Sequence, residues 1–329
     1  MINIDENINK IKEIKSKLQL NKNDFTFFRE TYTTLGDIVV AQPELSKQVF
    51  DTFKIVMQSD KNSFASLAPA YKELSYIVEN RAELAEPAID VFKTSLQSHN
   101  NSVEISGRAY GNTSDVLAHA YDELGAIVNA RPEFAKQIFE VVKAGLQLDK
   151  NKWNSLESGY GALGAIVNAQ PELAKQIVNV FKTELQSDKN EELSLYAAYS
   201  VLGDIVVAQP ELAKQVFDAV ETGLSSNKNS DLSLEYAYKT LGDILKIRPG
   251  WAEAIADTIQ VSKHQKENQN GKKSAKITSK ISLLRTVVAS NISKEKGVVN
   301  PKMSAEEKKA RLNMATQILQ NVKIKGTTD

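Results

Sequence analysis

One phrase recurs along this chain at a nearly fixed interval, and the interval limits the folds open to it. The phrase reads Tyr199-x-x-Leu202-Gly203-Asp204-Ile205-Val206-Val207-Ala208-Gln209-Pro210-Glu211-Leu212-Ala213-Lys214-Gln215-Val216-Phe217. Its leucine returns at Leu35, Leu74, Leu124, Leu163, Leu202 and Leu241, in steps of 39, 50, 39, 39 and 39 residues. Self-similarity at such a period marks a stacked repeat protein, in which each unit buries its apolar face against its neighbours.

Each repeat divides at its proline. Before it, Tyr71, Leu74, Ile77 and Val78 and their counterparts share one helical face, which defines helix A. The residue before a proline is driven out of the α region, so helix A is expected to end near Gln42, Gln170 or Gln209. Pro43, Pro132, Pro171, Pro210 and Pro249 then suit the first turn of helix B, where a missing N–H costs nothing. Glu44, Glu133, Glu172 and Glu211 follow, placing a carboxylate at the positive end of that helix. In helix B, Leu212, Ala213, Val216, Phe217, Val220 and Leu224 keep the amphipathic spacing. The second repeat has Ala82 at the proline position.

Gly36, Gly125, Gly164, Gly203 and Gly242 fall inside helix A, each costing about 1 kcal/mol relative to alanine. A small residue there is expected to admit a close helix neighbour. Tyr32, Tyr71, Tyr121, Tyr160, Tyr199 and Tyr238 precede them, and a buried ring with a hydroxyl to satisfy reads as an inter-repeat wedge.

The flanks complete the layout. Residues 1–23 carry one apolar stripe and read as a capping helix, standing in for a lone second helix before the six-repeat array of 24–261. An insertion over 103–113 brings Arg108 and Tyr110, residue types favoured at interaction hot spots. Residues 262–274 read as a linker, and 275–329 as a basic, degenerate helical pair that closes the array.

Charge divides along the same line. Residues 262–329 hold 13 Lys and 2 Arg against 5 acidic side chains, a net of +10. Removing these from the chain totals of 41 basic and 41 acidic leaves 26 and 36, so the body carries −10. There is no cysteine, which excludes disulfides and thiolate metal sites, and His99, His119 and His264 are widely spaced. No catalytic residue, cofactor or metal site is expected. The N-terminus lacks the pattern of a Sec-type signal and no apolar run is long enough to span a membrane. A cytoplasmic protein is the expectation, though non-classical secretion leaves no such mark.

The paired helices, with Leu-Gly in the first and Pro-Glu-Leu-Ala opening the second, resemble HEAT and armadillo-type repeats. The string Tyr-x-x-Leu-Gly with Ala213-x-x-x-Phe217 is also similar to the tetratricopeptide pattern, although the period is longer and the late proline is absent. The wording, rich in Lys, Asn and Ile, also looks like that of uncharacterised repeat proteins of rickettsia-like intracellular bacteria. These resemblances imply an all-α, right-handed α-α superhelix (solenoid) of about six 39-residue helix pairs with terminal caps. They imply a non-enzymatic scaffold or adaptor that binds a protein or peptide along a groove. Alternatives are binding of nucleic acid or another acidic partner through 262–329, and a secreted bacterial effector acting on host proteins. Nucleic acid is the less favoured partner, because 262–329 holds no aromatic residue for base stacking.

Two surfaces compete for the partner. Lys47 and Gln48, Lys136 and Gln137, Lys175 and Gln176, and Lys214 and Gln215 form a ladder on helix B, broken by Glu86 and Pro87. HEAT-like stacking would make this ladder the groove floor. Tetratricopeptide-like stacking would instead turn inward the helix-A sites read as exposed: Asp37, Glu73, Glu79, Asp122, Glu123, Asp204 and Asp243, with Asn129 and Asn168 beside them.

Overall fold

The structure, a computed structural model, describes residues 4–20, 25–58, 64–98, 113–148, 151–226, 228–252 and 254–259. Every regular element among them is helical. The α-helices are α1 (Ile4–Leu20), α2 (Phe25–Ala41), α3 (Ser46–Met57), α4 (Phe64–Asn80), α5 (Ala85–Ser98) and α6 (Thr113–Ala130). They continue with α7 (Ala135–Leu146), α8 (Trp153–Ala169), α9 (Ala174–Glu184), α10 (Glu192–Ala208), α11 (Ala213–Leu224) and α12 (Asp231–Ile247). The chain is an all-α helical repeat. It divides into two compact units, Met1–Val201 and Leu202–Asp329. Of the insertion over 103–113, residues 103–112 lie outside the described residues and Thr113 opens α6; the linker 262–274 and the basic pair 275–329 also lie outside them.

In the first unit, α2, α4, α6 and α8 pack side by side in chain order, and so do α1, α3, α5 and α7. The first row holds the A helices and the second the B helices, with α1 standing in a B place against α3. In the second unit α11 packs against α12.

The turn between A and B is built the same way six times. The residue ahead of the proline position leaves the α region, with φ/ψ of −134/78 at Gln42, −137/74 at Arg131 and −135/83 at Gln170. A single 3-10 turn, such as Pro43–Leu45, then leads into helix B, so the proline opens this turn ahead of the α-helix proper. Arg81, followed by Ala82, has −138/84, so the break does not require proline. Backbone bonds hold it there as elsewhere: Arg81 N–H donates to the Ile77 carbonyl at 2.8 Å and Leu84 N–H to the Arg81 carbonyl at 2.9 Å.

The recurring apolar residues fill the core. Leu35, Leu74, Leu124, Leu163, Leu202 and Leu241 are all 0% exposed, and each stabilises the fold by about 1.5–3 kcal/mol of removed apolar surface. The tyrosines differ from the wedge reading. Tyr32 lies on Phe53, Tyr71 on Phe92 and Tyr160 on Phe181, each with ring centroids 5.1 Å apart, so the ring first ties helix A to helix B of its own repeat. Its contact onward is at the edge: a Cβ on Gly159 would come within 3.4 Å of Tyr121 Cδ2.

The mid-helix glycines do mark close approaches, but of graded tightness. A Cβ at Gly203 would meet Thr240 Oγ1 at 2.9 Å, and one at Gly164 would meet Val201 Cγ2 at 3.1 Å. At Gly125 the nearest atom is Ala162 Cα at 3.5 Å, an ordinary contact. In each seam the facing residue lies two places after the next repeat's tyrosine.

Candidate interaction surface

Two polar devices, one closing each repeat and one joining successive repeats, engage their residues in the framework. The first is an asparagine at the end of helix B. Asn190 Nδ2 donates to the Glu184 and Ser187 carbonyls at 2.7 and 3.1 Å, while its Oδ1 accepts from Tyr160 Oη at 2.9 Å. Asn151 does the same for Gly145, Leu146 and Leu148, and faces Tyr121 Oη at 3.4 Å. One amide thereby satisfies both orphan helix-end carbonyls and a buried hydroxyl. Tyr71 uses Ser95 instead, at 2.8 Å.

The second device is the side chain at the A–B break. Arg81 Nε donates to the Val40 carbonyl at 2.8 Å, an Arg131 terminal nitrogen to the Glu79 carbonyl at 2.8 Å, and Gln170 Nε2 to the Pro132 carbonyl at 3.2 Å. A cation over the C-terminus of the preceding A helix also meets the negative end of its dipole. The sequence marks these residues only as helix ends, yet an asparagine thirty residues after each of several tyrosines was a readable signal.

The helix-B ladder is present and solvent-facing at Lys47, Gln48, Lys136, Gln137, Lys175 and Gln176 in the first unit. In the second unit Lys214 is exposed and bonded to Asp218, whereas Gln215 is half-buried with its Oε1 unpartnered. Acids are interleaved on the same face: Lys54 pairs with Asp90 at 2.5 Å and Lys143 with Glu140 at 3.7 Å. Exposed pairs of this kind contribute about 0–1 kcal/mol each. The helix-B face therefore carries both signs of charge around the ladder.

The acidic set of helix A is altered more by the structure. Asp37, Glu79 and Asp122 in the first unit, and Asp204 in the second, are exposed as expected, as are Asn129 and Asn168. Glu73 is not: it is 7% exposed and faces Gly36 in the seam between α2 and α4. Glu123 is half-buried, 3.7 Å from His119 Nε2, and Asp243 is bonded to Lys246 at 2.7 Å. These three positions look outward on an isolated helix; packing against neighbouring helices or a local ion pair occupies them. A further residue joins the set: Glu157 on α8, whose carboxyl is pushed up by burial and then by the charge of Asp122. Asp115 and Ser114 are engaged by Asn154 across the same pair of helices. Arg108 and Tyr110 lie outside the described residues.

Among the described residues no group of three or more His, Asp or Glu side chains could hold a metal ion, and no helix is long and apolar enough to cross a membrane. Compared with known proteins, the chain matches no protein-family model, and no curated protein matches it.

Proposed function

We propose that the chain is a non-enzymatic protein-interaction scaffold of the α-solenoid type, and that its partner is a basic protein or peptide read by the exposed positions of α2, α4, α6 and α8, the row that tetratricopeptide-like stacking would turn inward. The observation that carries this reading is the division of labour within the repeat. Tyrosine, leucine, glycine, asparagine and the A–B break residue are consumed by packing, so what differs from copy to copy is left to the exposed helix positions. Electrostatics favour the A row over the ladder. Burial and then the Asp122 charge raise the Glu157 carboxyl, and a cationic partner would relieve that repulsion, whereas the helix-B face carries both signs of charge.

Affinity capture from cell lysate at moderate salt, with and without nuclease, tests the reading. A protein retained in both conditions supports it. Nucleic acid retained without any protein, and lost when the lysines of 262–329 are replaced by glutamine, would replace it with binding through the basic C-terminal region.

A further inference from the structure

Three of the A-helix seams built on a glycine follow one rule, and a fourth breaks it in a chemically specific way. Opposite the glycine stands a small or apolar residue: Ala162 at Gly125, Val201 at Gly164, Thr240 at Gly203. Opposite Gly36 stands Glu73, so close that a Cβ on Gly36 would lie 1.7 Å from its Oε1. That oxygen is buried and accepts no hydrogen bond. A carboxylate held there in its ionised form is deprived of solvation on one oxygen, whereas the protonated group is neutral and tolerates burial far better.

The groups around it are few. Thr33 on α2 hydrogen-bonds the carboxyl, Asp37 one turn further along α2 repels its charge, and Lys72 on α4 attracts it. On the other side of α4, the α6 residues His119 and Glu123 are 3.7 Å apart, with His119 Nε2 also 3.1 Å from the Ala68 carbonyl. The B helices α3 and α5 turn their charges to the surface, where Lys54 pairs with Asp90 at 2.5 Å. Burial pushes the Glu73 carboxyl up to about 7; the Thr33 hydrogen bond opposes this, Asp37 adds to it and Lys72 opposes it. The group therefore changes charge in a range where ordinary carboxylates are already ionised.

We propose that Glu73 makes the α2–α4 seam a proton-operated latch, closed over Gly36 when the carboxyl is protonated and loosened when it ionises and seeks water. The first repeat would then separate from the second as the pH rises, without disturbing the seams lined by Ala162 or Val201. The seam that loosens carries Asp37 on one side and Glu79 on the other, so proton uptake also sets the spacing of exposed acids.

Amide hydrogen exchange of the full chain, compared between about pH 5.5 and 8.5 after correction for intrinsic exchange, reads the latch directly. Wild type is expected to lose about tenfold protection in α2 at the higher pH, with α8 unchanged. Glu73→Gln, and Glu73→Ala patterned on Ala162, are expected to hold α2 protected at both pH values. The proposal is overturned if wild-type protection of α2 does not depend on pH, or if both variants keep the wild-type dependence. It is equally overturned if both neutral variants are unfolded, since a neutral side chain is the closed state.

Discussion

Tyr160 donates its hydroxyl to Asn190 Oδ1 at 2.9 Å, across 30 residues of chain, and this bond closes a repeat on itself. The tyrosine comes from helix A and the asparagine from the turn that follows helix B. Helix B, stacked through Phe181 on the same ring, is held between them.

The two ends of that bond are not equivalent. Tyr160→Phe removes one donor and leaves Asn190 its helix-end carbonyls, at a cost of about 0.5–1.5 kcal/mol. Asn190→Ala strands a buried hydroxyl and two carbonyls, at a cost of about 2–4 kcal/mol. Urea unfolding of both single variants and the double variant gives the coupling, and a larger loss for Tyr160→Phe would contradict the arrangement.

Glycine replacements separate packing from helix propensity. Gly161 is exposed with open space around it, so Gly161→Ala gains helix propensity and stabilises by about 0.5–1 kcal/mol. Gly145→Ala drives a methyl to within 2.6 Å of Tyr121 Oη, forcing a shift in the core. It is expected to destabilise by about 1–3 kcal/mol. Thermal melts of the pair move in opposite directions.

The break at Ala82 is a natural place to test pre-organisation. Its preceding residue has the same dihedrals as those ahead of the prolines, and no bond from the Ala82 N–H is used in the turn. Ala82→Pro is therefore expected to stabilise by about 0.4–1 kcal/mol, chiefly by restricting the unfolded chain. Arg81→Ala, which releases the Val40 carbonyl, is expected to cost about 1–2 kcal/mol.

The Glu73 carboxyl sets a sign for the pH dependence of stability. Its folded value of about 7 lies above the ordinary carboxyl value of 4.5, so between the two the native state binds more protons than the unfolded one. Stability from this group is greatest below the lower value, falls as pH rises through that window, and is flat above it. Glu73→Gln should remove the slope and raise stability above neutral pH by about 1–2 kcal/mol, because the poorly solvated charge is gone. Denaturant midpoints across the window check it.

Much of this architecture is legible in the residues, for physical reasons. The proline forces a break in any helix, and the leucine and isoleucine spacing defines one face, so helix ends and core follow from local rules. What lies two places after the tyrosine follows no local rule. Glu73 and Glu123 sit on the polar side of an isolated helix, and only the stacking of a neighbouring A helix decides that one is buried and the other half-buried. The asparagine follows no local rule either, because its role is to satisfy two elements at once, one of them thirty residues away. The exposed acids Asp37, Glu79 and Asp122 were readable because nothing packs over them.

The central claim is that the repeated phrase builds the fold and the exposed A-row residues read a partner. Equilibrium binding of the captured protein to three forms of the full chain tests it: wild type, Asp37→Lys with Glu79→Lys and Asp122→Lys, and Lys47→Glu with Lys136→Glu and Lys175→Glu. The account predicts that the acidic-set variant binds at least about tenfold more weakly with an unchanged melt, while the lysine-set variant binds within about threefold of wild type. Equal binding by the acidic-set variant and wild type would contradict it.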